Sequence, residues 1–464
     1  MRSALFGSLA LLVTLVRSSH GQDPAPVDPP QASSPKAQRI PLSQRVPKSQ
    51  QALAELLDSL FREGRNVAEI ERLDALPTGS LPSALGTLSS SITGLFAAIS
   101  LSNSRNRSVP ITNHVKANRP SGRLTRGSAG DDPRSRRGSV PLHPLSLDLC
   151  DRQAPGAGDL LADGGGVERP AEEEFPPGWT VGALGLGALA SERDSESHVG
   201  FDSSTAGALF TIDRTWGTTD GMSFEDAVTV GLAGAYSWTE ADLDRSAGDA
   251  TVEAFHIGPY VGIRMGGLYT GLTFLYGHDD FEIHRVISFP GFFREAGSDH
   301  DGNEYTSRFD VGYTWDAESW SIGPEASLEH FRLDEESFTE SGAGAVNLRV
   351  SGRATDSLRT TLGLRYEYRI DLGTDGPKLV PTARAAWVHE YLDEDRDVTA
   401  GFVGSPGSFR VEGGEPDRDR ARLGAGLRLD WSEVVSGLID YGAEFAGADS
   451  IDHAFSGGVE IRFR

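Results

Sequence analysis

An unbroken alternation of apolar and polar residues runs from Leu358 to Asp371, and this period of two restricts the fold more than any other feature. Leu362 and Leu364 stand at one parity, and Arg365 and Glu367 stand at the other. Successive side chains of a β-strand point to opposite faces, so one face of this segment would be apolar and the other charged. The pattern therefore predicts a strand between two different environments.

Similar alternation recurs over the last 290 or so residues and predicts about twelve antiparallel strands. Their starts are placed near Trp179, Thr205, Ala227, Thr251, Leu268, Tyr305, Ser319, Asp356, Lys378, Asp419, Val435 and His453. Every second connection is short, as at Met265 to Gly267, whereas the others are long and polar. The long ones run over 239–250, 279–303, 334–355 and 393–418. Transmembrane β-barrels have short turns at one end and longer loops at the other. The predicted fold class is all-β, an antiparallel transmembrane barrel of about twelve strands over 176–464.

A soluble β-sandwich is the alternative fold, because its strands also alternate. The aromatic residues argue against it. With the strand directions above, one interface girdle is predicted at the short-turn end, where indole rings favour the membrane surface. The girdle residues are Trp179, Trp216, Trp315, Trp320, Trp431 and Phe463.

The other face of the predicted strands carries charges, which are costly against lipid but tolerated in a wet or ion-paired lumen. The predicted lumen-facing residues are Arg308, Arg359, Arg365, Arg369, Arg384, Arg420, Arg422, Arg428, Glu325, Glu367, Asp440 and Glu444. Ion pairs that brace the wall are favoured over a role in transport, and both interpretations stay open.

The region before the barrel divides into four predicted segments. Residues 1–21 have the charged, apolar and small-residue parts of a secretory signal peptide. Residues 22–48 are rich in Pro, Gln and Ser and predict a disordered linker. Apolar residues at helical spacing predict a short helical segment over 49–101, where Asn66 and Glu69 form a candidate capping box. Residues 102–175 predict a basic linker rich in Gly, Pro and Ser, so most of this N-terminal region is expected to be disordered.

Composition limits the covalent links and the binding partners expected for this chain. The net charge is −24, and the single cysteine, Cys150, cannot form an internal disulfide. The basic linker has no interleaved aromatic residues that could stack on bases, so nucleic acid is not an expected partner.

Several segments, in this order, resemble the β-domain of type V autotransporters: Gly258–Gly262, Leu268–Gly271, Asp356–Gly363, Pro381–Tyr391 and the terminal strand. The resemblance implies a barrel in the outer membrane, inserted by the barrel-assembly machinery with periplasmic chaperones. It also implies that the chain's own N-terminal segment is threaded through the lumen. Two expectations stay open for a lumen helix: it is Leu81 to Leu101, or it is absent. One departure is Arg464, which follows Phe463 where many members end on an aromatic residue.

The expected function is to anchor and export or display the N-terminal passenger segment. An adhesin-like surface-binding protein is the alternative, and a hydrolase on the barrel rim is a weaker one. Its candidate residues are His278, Asp279, Asp280, His284, Asp299, His300, Asp301 and His330. They carry no nucleophile motif, and no spacing of Cys and His suits a metal, so no catalytic, cofactor or metal site is predicted.

Overall fold

The computed structural model describes residues 39–89, 95–117, 178–193, 199–217, 227–373, 376–392, 397–411, 417–447 and 450–463. Pro41–Arg464 forms one compact unit. The predicted signal peptide, most of the linker at 22–48, residues 118–175 and Cys150 lie outside the described residues.

Twelve long antiparallel strands form a closed barrel, as the alternation predicts. They are β1 Gly178–Glu192, β2 Phe201–Gly217, β3 Ala227–Leu243, β4 Gly248–Met265, β5 Leu268–Phe289, β6 Phe292–Tyr313, β7 Trp320–Glu335, β8 Arg353–Tyr368, β9 Lys378–Glu390, β10 Asp419–Asp430, β11 Val435–Ala446 and β12 Ser450–Phe463. Each strand pairs with its neighbour in sequence, and β12 pairs with β1 to close the ring, with Trp179 opposite Phe463.

The two ends of the barrel differ. At one end the connections are short, as at Gly266 and Gly267, and this is called the inner end. Gly266 has a positive φ of 56°, which glycine adopts without strain. The opposite, outer end carries the remaining connections, and β1 starts and β12 stops at the inner end. No helix of the described residues combines the length and apolar character of a bilayer span.

Two of the predicted outer loops are instead continuations of strands. Residues 239–250 complete β3 and begin β4, with only a 3-10 turn at Asp244–Ser246, and 279–303 lie almost wholly in β5 and β6. Their acidic residues alternate with buried ones such as Phe281 and Ile283, so the polar composition marks the wet face of a projecting strand. The prediction of long loops there was wrong, because charge on one face was read as absence of structure.

The other two outer connections contain a small sheet, called the rim sheet. Its four strands are Phe338–Thr339, Leu348–Val350, Val398–Phe402 and Phe409–Val411, and a 3-10 turn covers Gly344–Val346. Two further short strands, Trp315–Asp316 and Ile370–Asp371, extend pairing at the inner end.

Three short helices cover the rim sheet and are called the cap. They are α1 Gln51–Arg62, α2 Val67–Asp74 and α3 Leu81–Ser89, preceded by 3-10 turns at Leu42–Gln44 and Lys48–Gln50. The apolar face of α1 buries Leu53, Leu57 and Leu60 in one core with rim residues such as Phe402. The helices are too short to fold alone, and the outer end of the barrel supplies the rest of their core.

Local contacts correct two expectations about the cap. Leu42 is fully buried and its backbone N–H donates to Asp58, so order begins inside the predicted linker. Asn66 makes no side-chain cap, because its backbone is left-handed and its amide donates to the carbonyl of Ala345.

Candidate functional site in the barrel lumen

A fourth helix, α4 Leu95–Ala117, lies inside the barrel. It packs against β1 to β6, β7 and β12. Residues 102–117, placed in the basic linker by the sequence, are therefore helical. The expected lumen helix, Leu81 to Leu101, is only partly right, since α3 belongs to the cap.

The middle of α4 is polar and is hydrogen-bonded to the wall. Asn103 donates to the Thr239 hydroxyl at 2.9 Å and accepts from Thr205 at 2.9 Å. The Ser104 and Thr306 hydroxyl oxygens are 2.8 Å apart. Buried polar groups must find partners, and these contacts fix one rotation and height for the helix.

Arg107 makes the strongest contact between the helix and the wall. Its guanidinium donates to both carboxylate oxygens of Glu304 at 3.0 and 2.8 Å and to Ser237 at 3.1 Å. Both charged side chains are 1% exposed. Breaking a buried pair of this kind leaves an uncompensated charge. Ser108, one residue on, donates to Glu329.

Apolar contacts hold α4 near both ends. Phe96 packs on Phe281 with ring centroids 4.5 Å apart, in a cluster at the outer end of the wall. Ile111 is fully buried in a cluster with Leu184 and Tyr260 nearer the inner end. The helix therefore descends from the cap towards the inner end, where β1 starts.

The twelve predicted lumen-facing residues are all buried or half-buried. Nearly all lie in ion pairs: Arg308 with Asp310 and Glu329, Arg359 with Glu390 and Glu444, Arg365 with Glu367, Arg369 with Asp316, Arg384 with Asp440, Arg420 and Arg422 with Glu444, and Arg428 with Asp430. Glu325 accepts from the Tyr269 hydroxyl at 3.4 Å. The arrangement suits wall bracing.

Beside α4 the lumen contains a cavity of about 110 Å³. It lies between Pro110 and Asn113 of the helix and the part of the wall that includes Arg384, Arg422 and Asp440. Helix α4 therefore fills one side of the lumen more completely than the other.

The six predicted girdle residues are exposed on the outer surface of the barrel, between 38% and 67%. Many apolar residues of the same parity are also exposed, among them Leu364, Leu423 and Ile439. An apolar outer face in contact with lipid explains this exposure, which would be costly in water.

The structure places the hydrolase candidates in several separate positions. His300 is buried and stacks on Phe281 and Phe338, while His284 and His330 pair with Asp249 and Asp356 respectively. His278, Asp280 and Asp301 gather on the exposed face, with potential ligand atoms within 4.8 Å of one another.

Burial raises the pKa of Glu335, but the ion pair with Arg353 and the imidazole of His300, 3.7 Å away, outweigh it and hold this pKa below its usual value. His300, stacked between Phe281 of β5 and Phe338, packs the rim sheet against the barrel wall.

Sequence reasoning missed the main contact partners of α4, Glu304 and Arg107. One signal was present: no acidic residue occurs from Leu95 to Ala117, although two arginines and a lysine do. A cationic helix is the complement that an acidic wall requires.

The family model of the autotransporter β-domain matches residues 183–442. The chain belongs to this autotransporter family. It is thus an outer-membrane translocator β-domain of type V secretion.

Two proteins and one solved structure illustrate what this chain is similar to. The extracellular serine protease of Serratia marcescens is 25% identical over 283 residues, which are 60% of this chain and 25% of that protein. Esterase EstA of Pseudomonas aeruginosa is 22% identical over 228 residues, 48% of this chain and 33% of EstA. The chain thus spans about a quarter to a third of these relatives. The translocator domain of autotransporter NalP from Neisseria meningitidis has a TM-score of 0.47 and 17% identity, covering 62% of this chain and 88% of that one.

Proposed function

We propose that this autotransporter barrel exports the chain upstream of β1 through its own lumen and keeps residues 41–89 as a folded cap on the cell surface. The observation that carries the proposal is the path of α4. The helix connects the side of the cap to the side where β1 begins, through the interior of the barrel.

The contacts of the cap support a stable display. Arg285 of β5 is fully buried and pairs with Glu340. It also donates to the carbonyls of Thr87 and Leu88, which end α3. Because carbonyls at a helix C-terminus lack intrahelical partners, this arginine joins the cap to a barrel strand.

Labelling of intact cells tests the proposal. In a Cys150→Ser background, Ala68→Cys places a thiol on the exposed surface of α2, and Glu433→Cys places one on an inner turn. A membrane-impermeant maleimide should label Ala68→Cys on intact cells and Glu433→Cys only after permeabilisation. Arg294→Cys, at the tip of the β5–β6 hairpin, is the matched positive control. Protection of Ala68→Cys while Arg294→Cys is labelled would contradict surface display.

Assembly by the barrel-assembly machinery and periplasmic chaperones belongs to the same proposal. Its support is the seam, where β12 must pair with β1 before the ring closes. Depletion of the machinery should abolish the heat-modifiable, folded form on gels, and an unchanged folded fraction would argue against it.

We also propose that the described residues of this chain act as conduit and anchor and not as an enzyme. The separate ion pairs of His284 and His330 and the packing of His300 support this. The exposed group of His278, Asp280 and Asp301 is the observation that favours a rim hydrolase. If ester or peptide hydrolysis by purified protein were found and then lost in His278→Gln, the hydrolase would replace this proposal.

A further inference from the structure

Three side chains from consecutive strands meet on the lumen face beneath α4: His256 of β4, Asp279 of β5 and Glu304 of β6. Their potential ligand atoms all lie within 4.8 Å of one another. All three side chains are almost completely buried, with exposures of 0%, 0% and 1%.

The backbone is shaped to bring them together. Gly277 lies between His256 and Glu304 in the strand register. A Cβ at Gly277 would stand 2.2 Å from Nε2 of His256, so the imidazole occupies the space that a side chain would fill. Asp279, two residues along β5, points to the same face.

The polar side-chain atoms of His256 and Asp279 lack hydrogen-bond partners among the described residues. Neither oxygen of Asp279 has a hydrogen-bond partner among the described residues, and neither ring nitrogen of His256 has one. Nε2 of His256 lies 3.0 Å from Oε2 of Glu304, at an angle that makes no hydrogen bond. Two ligands on a tetrahedral zinc, each about 2.1 Å away, stand about 3.4 Å apart, so these two atoms need to separate by only about 0.4 Å to hold the metal.

Neighbouring charge leaves room for a cation. Two carboxylates lie near the guanidinium of Arg107, which donates to Glu304 but makes no hydrogen bond to Asp279. A carboxylate buried without compensation is costly. A proton on Asp279 would offset the charge but would leave the ring nitrogens of His256 without a hydrogen-bond partner among the described residues.

We propose that His256, Asp279 and Glu304 bind a first-row divalent cation, for which Zn²⁺ is the best match. One imidazole nitrogen and two carboxylate oxygens form a ligand set that zinc accepts, with a fourth position open to water. Arg107 holds the outer side of Glu304 and orients it, as hydrogen-bond donors do around metal ligands. The cation joins β4, β5 and β6 at the height where the helix docks.

Refolding the full chain with ZnSO₄ or with EDTA tests the site. After desalting, folded wild-type barrel, identified by heat-modifiable migration, should retain zinc, measured by mass spectrometry. Asp279→Asn and His256→Gln should each weaken retention about 100-fold or more per folded chain. The matched control is His278→Gln with Asp280→Asn, which removes the exposed group and should keep the buried zinc.

Cobalt gives a second readout that needs no variant. Co²⁺ in place of zinc should show the visible absorption of a low-coordinate site with nitrogen and oxygen ligands. A spectrum of hexa-aquo Co²⁺, or equal zinc retention in His256→Gln, would overturn the proposal in favour of a proton or water among these side chains. Loss of all zinc in the His278→Gln, Asp280→Asn control would also overturn it, because the metal would then lie on the exposed face.

Discussion

Both halves of the barrel alternate apolar and polar residues, but they differ in strand length and in how their lumen-facing charges are paired. Strands β2 to β8 have 16 to 22 residues and form the long half, whereas β9 to β12 and β1 have 12 to 15 and form the short half. A membrane strand needs about 9 to 11 residues, so only the long half projects far beyond the bilayer. The extra length and the rim sheet together carry the cap.

Charge pairing differs in the same way. In the short half, Arg422 pairs with Glu444 and Arg384 with Asp440, so the wall satisfies itself. In the long half, Glu304 is satisfied by Arg107 and Glu329 is shared between Arg308 and Ser108. Alternation in sequence therefore defines both walls, and the long half adds buried hydrogen bonds to Arg107 and Ser108 of α4.

The largest expected effect is at the joint between cap and barrel. Arg285→Ala should destabilise the cap by up to about 5 kcal/mol, because Glu340 would remain buried and the α3 carbonyls would lose their donor. Limited proteolysis should cut residues 41–89 while the barrel stays heat-modifiable. Arg294→Ala, at the exposed hairpin tip, is the control and should leave proteolysis unchanged.

Removing the main ion pair of the lumen helix should have the next largest effect. Arg107→Ala should cost about 3 to 4 kcal/mol in the docking of α4, since Glu304 is left without its guanidinium. Hydrogen exchange of α4 amides measures the loss. If α4 protection is unchanged, the helix does not depend on this contact.

Acid should loosen the outer hairpins before the short half. The pKa of Glu335 is lowered in the folded protein, so its ion pair with Arg353 contributes stability above the unfolded pKa, near 4.5. That contribution is lost as the pH falls through the folded value. The protection of amides at the outer ends of β7 and β8, measured by hydrogen exchange relative to the intrinsic rate, should fall below about pH 4.5. Glu335→Gln should remove this pH dependence.

The smallest effect should come from a wall-to-wall pair in the short half. Arg428 and Asp430 are 3.1 Å apart and about a quarter exposed. Arg428→Ala should therefore change the free energy of unfolding by less than about 1 kcal/mol. A loss as large as that for Arg107→Ala would erase the distinction between the halves.

The barrel could be predicted from sequence because the pattern that identifies a strand lies within that strand. Apolar and charged residues alternate within β8, and turn positions such as Gly266 follow directly. The start of β6 could not be predicted, since the alternation before Tyr305 is acidic and small rather than apolar. Its residues are buried by the cap and rim, which lie far away in sequence.

The contacts of α4 in the lumen could not be predicted either, because the residues that meet there are far apart in sequence. Arg107 lies in a segment whose Gly, Ser and Arg content suggests a linker, and α4 has almost no apolar periodicity. Its helical state depends on Glu304 and Thr239, which no local pattern connects to it. Likewise His256, Asp279 and Glu304 are scattered in sequence and are joined only by strand register.

A disulfide between helix and wall tests the central claim most directly. The Ser104 and Thr306 oxygens are 2.8 Å apart, so Ser104→Cys with Thr306→Cys, in a Cys150→Ser background, should cross-link in cells. The same helix cysteine paired with Ser436→Cys, at the inner end of β11, should not. The account predicts a linked, faster-migrating chain in the first pair alone. Equal linkage in both pairs, or linkage only with Ser436→Cys, would show that α4 does not occupy this position in the lumen.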